Sequence, residues 1–512
     1  MSPSAAAAAL LLLFNLSCFP KTAPGNPLLA VRHRDTVLET ALRTARSDVL
    51  RATEWARSFL NDLHEPHVHG GGNNGIAAAM SDCITLYEAA EERLARLDVA
   101  PPPPGDYDDH DAVTWLSAAL SSHRSCLDGL DEMGSTNYRH KFFRSNLTLS
   151  LKQALARYAT RGNTNPIRTG VRHKNSASSG ESAGLLAEWS ASSASIKADL
   201  VVAQDGSGDY KTINEAVEAL PRITGEKRRV VVYVKGGVYK ERVEIGRGFK
   251  NVMLVGDGMD KTVITGDRSF HDGATTIGSA TFRVLGDGFW ASDMTFENTA
   301  GPHKNQAVAL AVASDRALFY RCSIKGYQDT LMVHSLRQFY RDCHIYGTID
   351  FIFGDAAVVL QNCDIFVNRP MDHQSNLITA QGRDDPNENT GISIVNSRVR
   401  PTVGMGLVRG RVKSYLGRPW KKYSRTVVLK TDIDGVIDPK GWMEWSGNFG
   451  LSTLYYGEYL NTGAGASTAQ RVNWAGFHVL KRAEDASPFS VKNFIQGDSW
   501  IPESGVPYGS QI

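Results

Sequence analysis

A short pattern that recurs about every twenty residues constrains the fold of this chain more than any other feature. Residues 319–322 (FYRC) return as residues 339–343 (FYRDC), and an aspartate, Asp329 or Asp350, stands seven residues after each cysteine. A fainter third copy at residues 360–365 places its cysteine 20 residues further on. β-branched and aromatic runs separated by Gly, Asp and Asn at this period are typical of a solenoid. The sequence therefore predicts a parallel β-helix with coils about 4.8 Å apart.

The two aspartates share one phase of the repeat, so the fold predicts that Asp329 and Asp350 lie side by side on successive coils. Two carboxylates at that separation cannot both ionise at low cost, so one retains a proton while its partner is charged. The pair then offers a general acid and a nucleophile. A single Asp in a solenoid turn more often caps backbone amides. Two at one phase, each within an apolar run, favour a catalytic pair.

Five motifs occur together and in order over about 180 residues. They are GVYKE at residues 237–241, QAVAL at 306–310, GYQDTL at 326–331, GTIDFIFG at 347–354 and LGRPW at 416–420. In this combination the chain resembles plant pectin methylesterases, from about residue 200 to the C-terminus. The resemblance implies an all-β, right-handed parallel β-helix that hydrolyses methyl esters of pectin (homogalacturonan) to carboxylates and methanol, with no cofactor and no metal.

The resemblance also implies a role for each polar residue of the site. Asp350 is expected to attack the ester carbonyl, and Asp329 to act as general acid and then base. Gln306 and Gln328 are expected to stabilise the oxyanion, since amides donate hydrogen bonds without charge; from spacing alone, a stacked glutamine ladder is the commoner role. Arg418 is expected to orient Asp350 and contact substrate, because its guanidinium forms a fork that fits a carboxylate.

Two further positions match substrate-binding residues of that family. They are Thr276 and Trp420, whose indole offers a flat face for a sugar ring. Three cysteines, Cys322, Cys343 and Cys363, share one ladder and compete for a single bridge. The resemblance implies that Cys343 pairs with Cys363.

The N-terminal third has a helical rather than a strand period. Residues 28–160 contain four stretches with apolar residues at i, i+3 and i+4, separated by Gly- and Pro-rich breaks, and predict an all-α four-helix bundle. Cys83 and Cys126 resemble the second, helix-linking cysteine pair of the pectin methylesterase inhibitor family, whereas the first pair of that family is absent. The segment is therefore expected either to inhibit the catalytic domain or to act only in folding or retention. Asn146 begins a glycosylation sequon.

The remaining segments indicate a secreted, two-domain protein. Residues 1–25 are apolar with small residues near the end, which predicts a signal peptide. Residues 161–195 are rich in Ser, Gly, Asn and Arg without a period, which predicts a linker before a catalytic domain at 196–512. With 512 residues, 42% of them hydrophobic, the chain is too long for one ordinary core.

The net charge and the spacing of the histidines limit the kinds of partner that we expect this chain to bind. A net charge of +2 gives no indication of nucleic-acid binding, and no later apolar stretch predicts a membrane anchor. The 14 histidines show no metal-binding spacing. We expect a monomer in the plant cell wall that acts on methyl-esterified pectin and contacts its own N-terminal domain or separate inhibitor proteins.

Two other classes of protein compete with this interpretation. A polygalacturonase or pectate lyase would also place carboxylates on a parallel β-helix, but it would cut the polysaccharide chain instead of releasing methanol. A non-enzymatic regulator would retain the bundle and a decayed solenoid. The acid, the nucleophile and the arginine are all present, which disfavours decay.

Overall fold

The computed structural model describes residues 27–64, 74–98, 108–134, 146–164, 197–223, 229–408 and 410–512. The predicted signal peptide at residues 1–25 and most of the predicted linker lie outside the described residues. None of the helices in the described ranges is long and apolar enough to cross a membrane.

Four helices form the predicted bundle. Helix α1 packs on α2 and α4, and α3 packs on the same two neighbours. The predicted disulfide between Cys83 and Cys126 is formed and joins α2 to α3. Helix α4 continues four residues into the segment predicted as linker. The helices are α1 Pro27–His64, α2 Asn74–Leu97, α3 Asp109–Glu132 and α4 Leu147–Thr164.

The bundle core follows the helical period of the sequence. In α1 the side chains of Leu42, Ala45 and Val49 are buried, whereas Leu50 is 44% exposed. Leu50 points away because adjacent residues are about 100° apart around a helix. Helix α3 begins at a capping box, in which Asp108 Oδ1 accepts from the amide of Asp111 and the amide of Asp108 donates to Asp111 Oδ2.

The described part of the C-terminal region contains 26 short strands. In chain order they are β1 Leu200–Val202, β2 Val230–Val234, β3 Gly237–Lys240, β4 Val243–Ile245, β5 Val252–Val255, β6 Thr262–Gly266, β7 Phe282–Val284, β8 Trp290–Ser292, β9 Thr295–Asn298, β10 Leu310–Val312, β11 Ala317–Tyr320, β12 Ser323–Lys325, β13 Leu331–Val333, β14 Arg337–Arg341, β15 His344–Gly347, β16 Ile352–Gly354, β17 Ala357–Gln361, β18 Asp364–Val367, β19 Asn376–Gln381, β20 Gly391–Val395, β21 Arg398–Pro401, β22 Ser414–Gly417, β23 Arg425–Leu429, β24 Asp432–Ile433, β25 Tyr455–Tyr459 and β26 Phe477–Val479.

The strands form three parallel sheets, as a parallel β-helix requires. The first sheet has the order β1-β2-β5-β8-β11-β14-β17-β20-β23-β25-β26. The second is β22-β19-β16-β13-β10-β7-β4, and the third is β24-β21-β18-β15-β12-β9-β6-β3. Successive strands of the chain enter different sheets, so each coil adds one strand to each sheet through the middle of the domain. The apolar interior forms a core of its own, made only of β-helix residues.

A short helix closes one end of the β-helix. This helix, α5 Ile213–Ala219, begins after Thr212, which forms a capping box with Glu215, and it contacts β1 and β4. The apolar run that begins at Trp290 forms two strands, β8 and β9. The break lies at Asp293, whose φ of 57° turns the chain into the next sheet.

The predicted disulfide between Cys343 and Cys363 is not formed. Cys322, Cys343 and Cys363 are buried free thiols, and their sulfurs contact backbone carbonyl oxygens, such as that of Phe319 at 3.4 Å from Cys343 Sγ. Parallel strands in register hold equivalent side chains pointing the same way, about 4.8 Å apart. A disulfide needs Cβ atoms at about 3.8 Å and converging side chains, which this ladder does not provide.

The bundle lies against the second sheet of the β-helix. One hydrophobic cluster contains the bundle core together with β-helix side chains from the outer face of that sheet. We call these β-helix side chains the apolar floor: Ile277, Ala280, Val308, Ala311, Met332, Leu336, Phe353 and Ala380. The floor lies around the predicted site residues.

Candidate active site

Asp329 and Asp350 lie side by side on neighbouring coils, as the repeat predicts. Strands β13 and β16 pair with Leu331 opposite Ile352, so each aspartate lies two residues before the first paired position. The Asp329 amide donates to the carbonyl of Ile349 at 3.0 Å. Both aspartates have left-handed backbone, with φ of 62° and 48°, so the same turn presents each carboxylate. Asp tolerates this conformation better than most residues.

The surroundings of the pair affect the pKa values of the two carboxylates differently. Burial raises the pKa of Asp329 well above its usual value, and the charges of Asp350 and Glu132 raise it further, against Arg418. Burial also raises the pKa of Asp350, but the hydrogen bonds and charge of Arg418 oppose that rise. Asp350 is therefore the carboxylate that ionises first, and Asp329 is the one that keeps its proton.

Arg418 holds Asp350 through a forked contact. Its Nε lies 2.9 Å from Oδ1, and its Nη2 lies 2.6 Å from Oδ2 of Asp350. The backbone amide of Arg418 donates to Thr379 at 3.0 Å, which fixes the residue directly after β22. The guanidinium carbon lies 4.4 Å from the ring centroid of Trp445. Trp445, which the sequence analysis missed, is 38% exposed and supports Arg418 from the solvent side.

The two glutamines lie beside the aspartates, on neighbouring coils. Ala307, which follows Gln306, donates its amide to the Gln328 carbonyl at 3.2 Å. Both side chains are half-buried, and neither amide group forms a hydrogen bond with another described residue. Free amide donors next to a carboxylate pair can serve a developing oxyanion.

Two glycines shape the surface of the β-helix near Asp350. Gly354 ends β16 with a φ of 121°, and a Cβ there would overlap the carbonyl oxygen of Val333. The ring of Trp420 lies close to Gly382, where a Cβ would be 3.0 Å from the indole, and it meets Phe353 edge to face at 6.1 Å. Trp420 is half-buried in this position.

Thr276 is bound to a carboxylate of the bundle. Its amide lies 2.8 Å from Glu132 Oε2, and its hydroxyl lies 2.7 Å from Glu132 Oε1. Burial raises the pKa of Glu132, against these two hydrogen bonds. The last turn of α3 therefore reaches the predicted substrate position of Thr276.

Helix α3 extends along the second sheet beyond this contact. Near its start Asp111 pairs with Arg337 at 2.7 Å, and in its middle Ser121 donates to Asp355 at 2.5 Å. Ion pairs surround these contacts, and in some of them the bundle supplies the cation whereas in others it supplies the anion. Bundle cations meet β-helix anions in Arg93–Asp287, Arg124–Asp355 and Arg124–Glu388, and bundle anions meet β-helix cations in Asp82–Arg283, Glu88–Arg247 and Asp128–Lys421. The bundle therefore covers the site.

Two other predicted features concern positions away from this wall. Asn146 is exposed at the turn before α4, so its side chain is accessible. Within the described ranges, no group of three His, Cys, Asp or Glu side chains is arranged to hold a metal ion.

A parallel β-helix with a buried, arginine-held carboxylate pair on its surface is the architecture of carbohydrate-active enzymes, both esterases and enzymes that cut the polysaccharide chain. The family profile described as Pectinesterase matches residues 199–498, and the profile described as Plant invertase/pectin methylesterase inhibitor matches residues 21–157. The chain belongs to the pectinesterase family, as a carboxylic ester hydrolase with an inhibitor-family domain at its N-terminal side.

Individual relatives agree with both profiles. The chain is 56% identical over 463 residues to "Probable pectinesterase/pectinesterase inhibitor 36" of Arabidopsis thaliana, covering 85% of this chain and 87% of that protein. It is 48% identical over 440 residues to "Pectinesterase 2" of Citrus sinensis, covering 86% and 83%. The solved pectin methylesterase from carrot is 52% identical, with a TM-score of 0.61, and covers 63% of this chain and 100% of its own. The whole of that solved chain thus matches less than two thirds of this chain, and it stands as a structure without a bundle.

Proposed function

We propose that this chain hydrolyses the C6 methyl esters of homogalacturonan through an aspartyl acyl-enzyme, and that its bundle holds the enzyme inactive. The observation that carries the proposal is the asymmetric carboxylate pair. Asp329 is placed to keep a proton, and Asp350 is held in a fork by Arg418 at 2.6–2.9 Å.

The reaction follows from these assignments. Ionised Asp350 attacks the ester carbonyl carbon and forms an acyl bond, while Gln306 and Gln328 donate hydrogen bonds to the carbonyl oxygen as it becomes negative. Asp329 gives its proton to the departing methoxide, which leaves as methanol. The Asp329 carboxylate then takes a proton from water, and the resulting hydroxide cleaves the acyl bond to give the Asp350 carboxylate and a free uronic acid. The uronic acid gives its proton to solvent and leaves as the uronate.

The autoinhibitory part rests on what α3 covers. Glu132 occupies the donors of Thr276, and the apolar floor is buried beneath the bundle. A polysaccharide chain cannot reach Asp329 or Trp420 while this helix is in place. The missing first cysteine pair of the inhibitor family does not prevent this docking, because the ion pairs and hydrogen bonds named above come from α2 and α3, which their own disulfide joins.

We further propose secretion to the plant cell wall, a monomeric state and no membrane anchor. The exposed Asn146 would carry a glycan, residues 1–25 would be removed as a signal peptide, and the linker near residues 161–195 would allow the bundle to separate from the catalytic domain. The relatives that support this proposal are plant proteins with the same two domains.

Methanol release from highly methylated pectin tests the proposal. We expect release from the segment 197–512, loss of at least about a thousandfold in Asp350→Ala, and much slower release from the full chain. A matched control is Asp364→Ala, an acid outside the site that pairs with Arg398 on the third sheet. No methanol from a folded segment, or a fall in pectin viscosity without methanol, would exclude the esterase and favour a chain-cutting enzyme.

A further inference from the structure

One cation of the β-helix, Arg283 in the middle of β7, lies deep beneath the bundle. Its side chain is 6% exposed. The neighbouring side chains of Phe282 and Val284 belong to the β-helix core, so Arg283 points outward, toward the bundle. It pairs in register with Ala311, which pairs in turn with Met332. Arg283 therefore stands at one end of a row of side chains that continues as the apolar floor.

The bundle supplies the nearer carboxylate to this guanidinium. Asp82 of α2 has its Oδ1 3.3 Å from Arg283 Nη1, and its Oδ2 accepts from the hydroxyl of Thr275 at 2.5 Å. The β-helix offers Glu244, which is 46% exposed and lies 3.6 Å from the same nitrogen. Nε and Nη2 of Arg283 are buried and donate to no residue in the described ranges. The charge of Arg283 therefore depends chiefly on Asp82 for compensation.

Other β-helix cations at this interface depend less on the bundle. Arg337 is fully buried, but Asp315 of its own domain holds it at 2.7 Å. Arg247 and Lys421 are 31% and 21% exposed, so water compensates part of their charge. Arg283 is thus the cation for which the identity of the opposing bundle residue matters most.

We propose that Arg283 is a specificity residue of this interface. It selects inhibitor-type bundles that carry a carboxylate where Asp82 lies, and so favours this chain's own bundle over separate inhibitor proteins that lack one. The inference rests on the proposed function, since it names the partner that covers the site. The apolar floor can contact either kind of bundle, whereas a bundle with a neutral residue at this position leaves the guanidinium buried with Glu244 alone.

The size of the preference follows from the burial of the pair. Removal of one partner of a buried ion pair leaves an uncompensated charge, which weakens association by a factor of about one hundred at the low end of the usual range. The low end applies because half-exposed Glu244 keeps part of the compensation. Replacement of both partners by neutral side chains leaves no buried charge and has little effect.

Four full-length chains test this selection: the unmodified chain, Asp82→Asn, Arg283→Met and the double variant. Asparagine keeps the shape of aspartate and can still accept from the hydroxyl of Thr275, so only the charge changes. Deuterium exchange at the amide of Thr276, followed by mass spectrometry, reports docking without any ester chemistry. This amide donates to Glu132 of the bundle, so its exchange rate follows the fraction of chains in which the bundle is away.

We expect Asp82→Asn to raise this exchange rate about a hundredfold when residue 283 is arginine, and less than about threefold when it is replaced by methionine. The matched control is Glu88→Gln, a second acid of α2, which pairs with Arg247 at the rim, where the two side chains are 28% and 31% exposed. The control should raise the rate less than about threefold.

Two results would overturn the inference. One is an equal increase for Asp82→Asn with arginine and with methionine at position 283, as would follow if the substitution merely unfolded the bundle. The other is no increase with either residue. Methanol release from highly methylated pectin separates this inference from the proposed function: if the expected exchange pattern appears while no chain, including the segment 197–512, releases methanol, the selection stands and the esterase is refuted.

Discussion

Replacement of Arg124 by Met tests whether the bundle inhibits the enzyme in the way that its contacts indicate. Arg124 lies in the middle of α3 and is 9% exposed. Its Nη2 contacts Asp355 at 2.8 Å and also Glu388, and its Nη1 donates to the carbonyl of Gly382 at 3.3 Å. Methionine is flexible and unbranched, so it can fill the space without the charge.

The expected effect follows from the two carboxylates left behind. Removal of one partner of a buried ion pair costs about 3–5 kcal/mol. Burial and the nearby Asp355 raise the pKa of Glu388, against the charge of Arg124, so removal of Arg124 leads Glu388 to take up a proton and leaves only Asp355 as an unpaired carboxylate. The low end, about 3 kcal/mol, therefore applies. It raises the open fraction of the full chain about a hundredfold.

The assay is the rate of methanol release by the full chain at pH 7, compared with the segment 197–512 as the upper limit. Arg124→Met should raise the rate up to about a hundredfold. The control is Arg51→Met, since Arg51 is exposed and pairs with Asp48 on the same helix, α1. The double variant Arg124→Met/Glu388→Gln should be as active as Arg124→Met alone, because without Arg124 the carboxyl of Glu388 is already protonated and Asp355 is the unpaired acid.

Two results would refute this reasoning. One is a full-length Arg124→Met chain that stays as slow as the unmodified chain while the segment 197–512 is active. The other is an equal increase in Arg51→Met, which would mean that the bundle had merely lost stability. Thermal unfolding of each variant distinguishes the two cases.

Three further predictions concern the catalytic wall and the bundle. Arg418→Lys loses the fork that lowers the pKa of Asp350, so the acid limb of the pH profile, where activity rises as Asp350 ionises, should move to higher pH; an unmoved limb would contradict the assignment. Gln328→Ala should lower kcat about a hundredfold with little change in KM, and a change in KM alone would argue for substrate binding instead. Cys126→Ser opens the loop of 43 residues to Cys83 and should lower the bundle's free energy of unfolding by about 4 kcal/mol in urea titration, with no change in the β-helix transition.

The period of the sequence was enough to predict the β-helix and the aspartate pair. A repeat fixes which residues stack, because each coil adds one strand to each sheet. The offset of 21 residues was therefore enough to predict that Asp329 lies beside Asp350. The same reasoning gave a wrong prediction for Cys343 and Cys363, which are free thiols. Stacking brought the two cysteines close, but it also aligned their side chains in parallel, and proximity alone does not form a disulfide.

The covered state of the site could not be predicted from the sequence. Contacts such as Arg124 with Asp355, 231 residues apart, depend on how two separately folded units dock, and no period connects them. Trp445 was missed for a similar reason. It reaches Arg418 from a loop beyond the next coils, and a single tryptophan in a loop carries no spacing signal.

The apolar floor gives the closed form a resistance that its ion pairs do not. Added salt screens charged contacts at the rim of the interface, but it leaves contacts of buried side chains such as Met332 and Phe353 unaffected. Cooling instead weakens the contacts of the apolar floor, because apolar association is weaker at low temperature. Ionic strength alone should therefore loosen the bundle without detaching it.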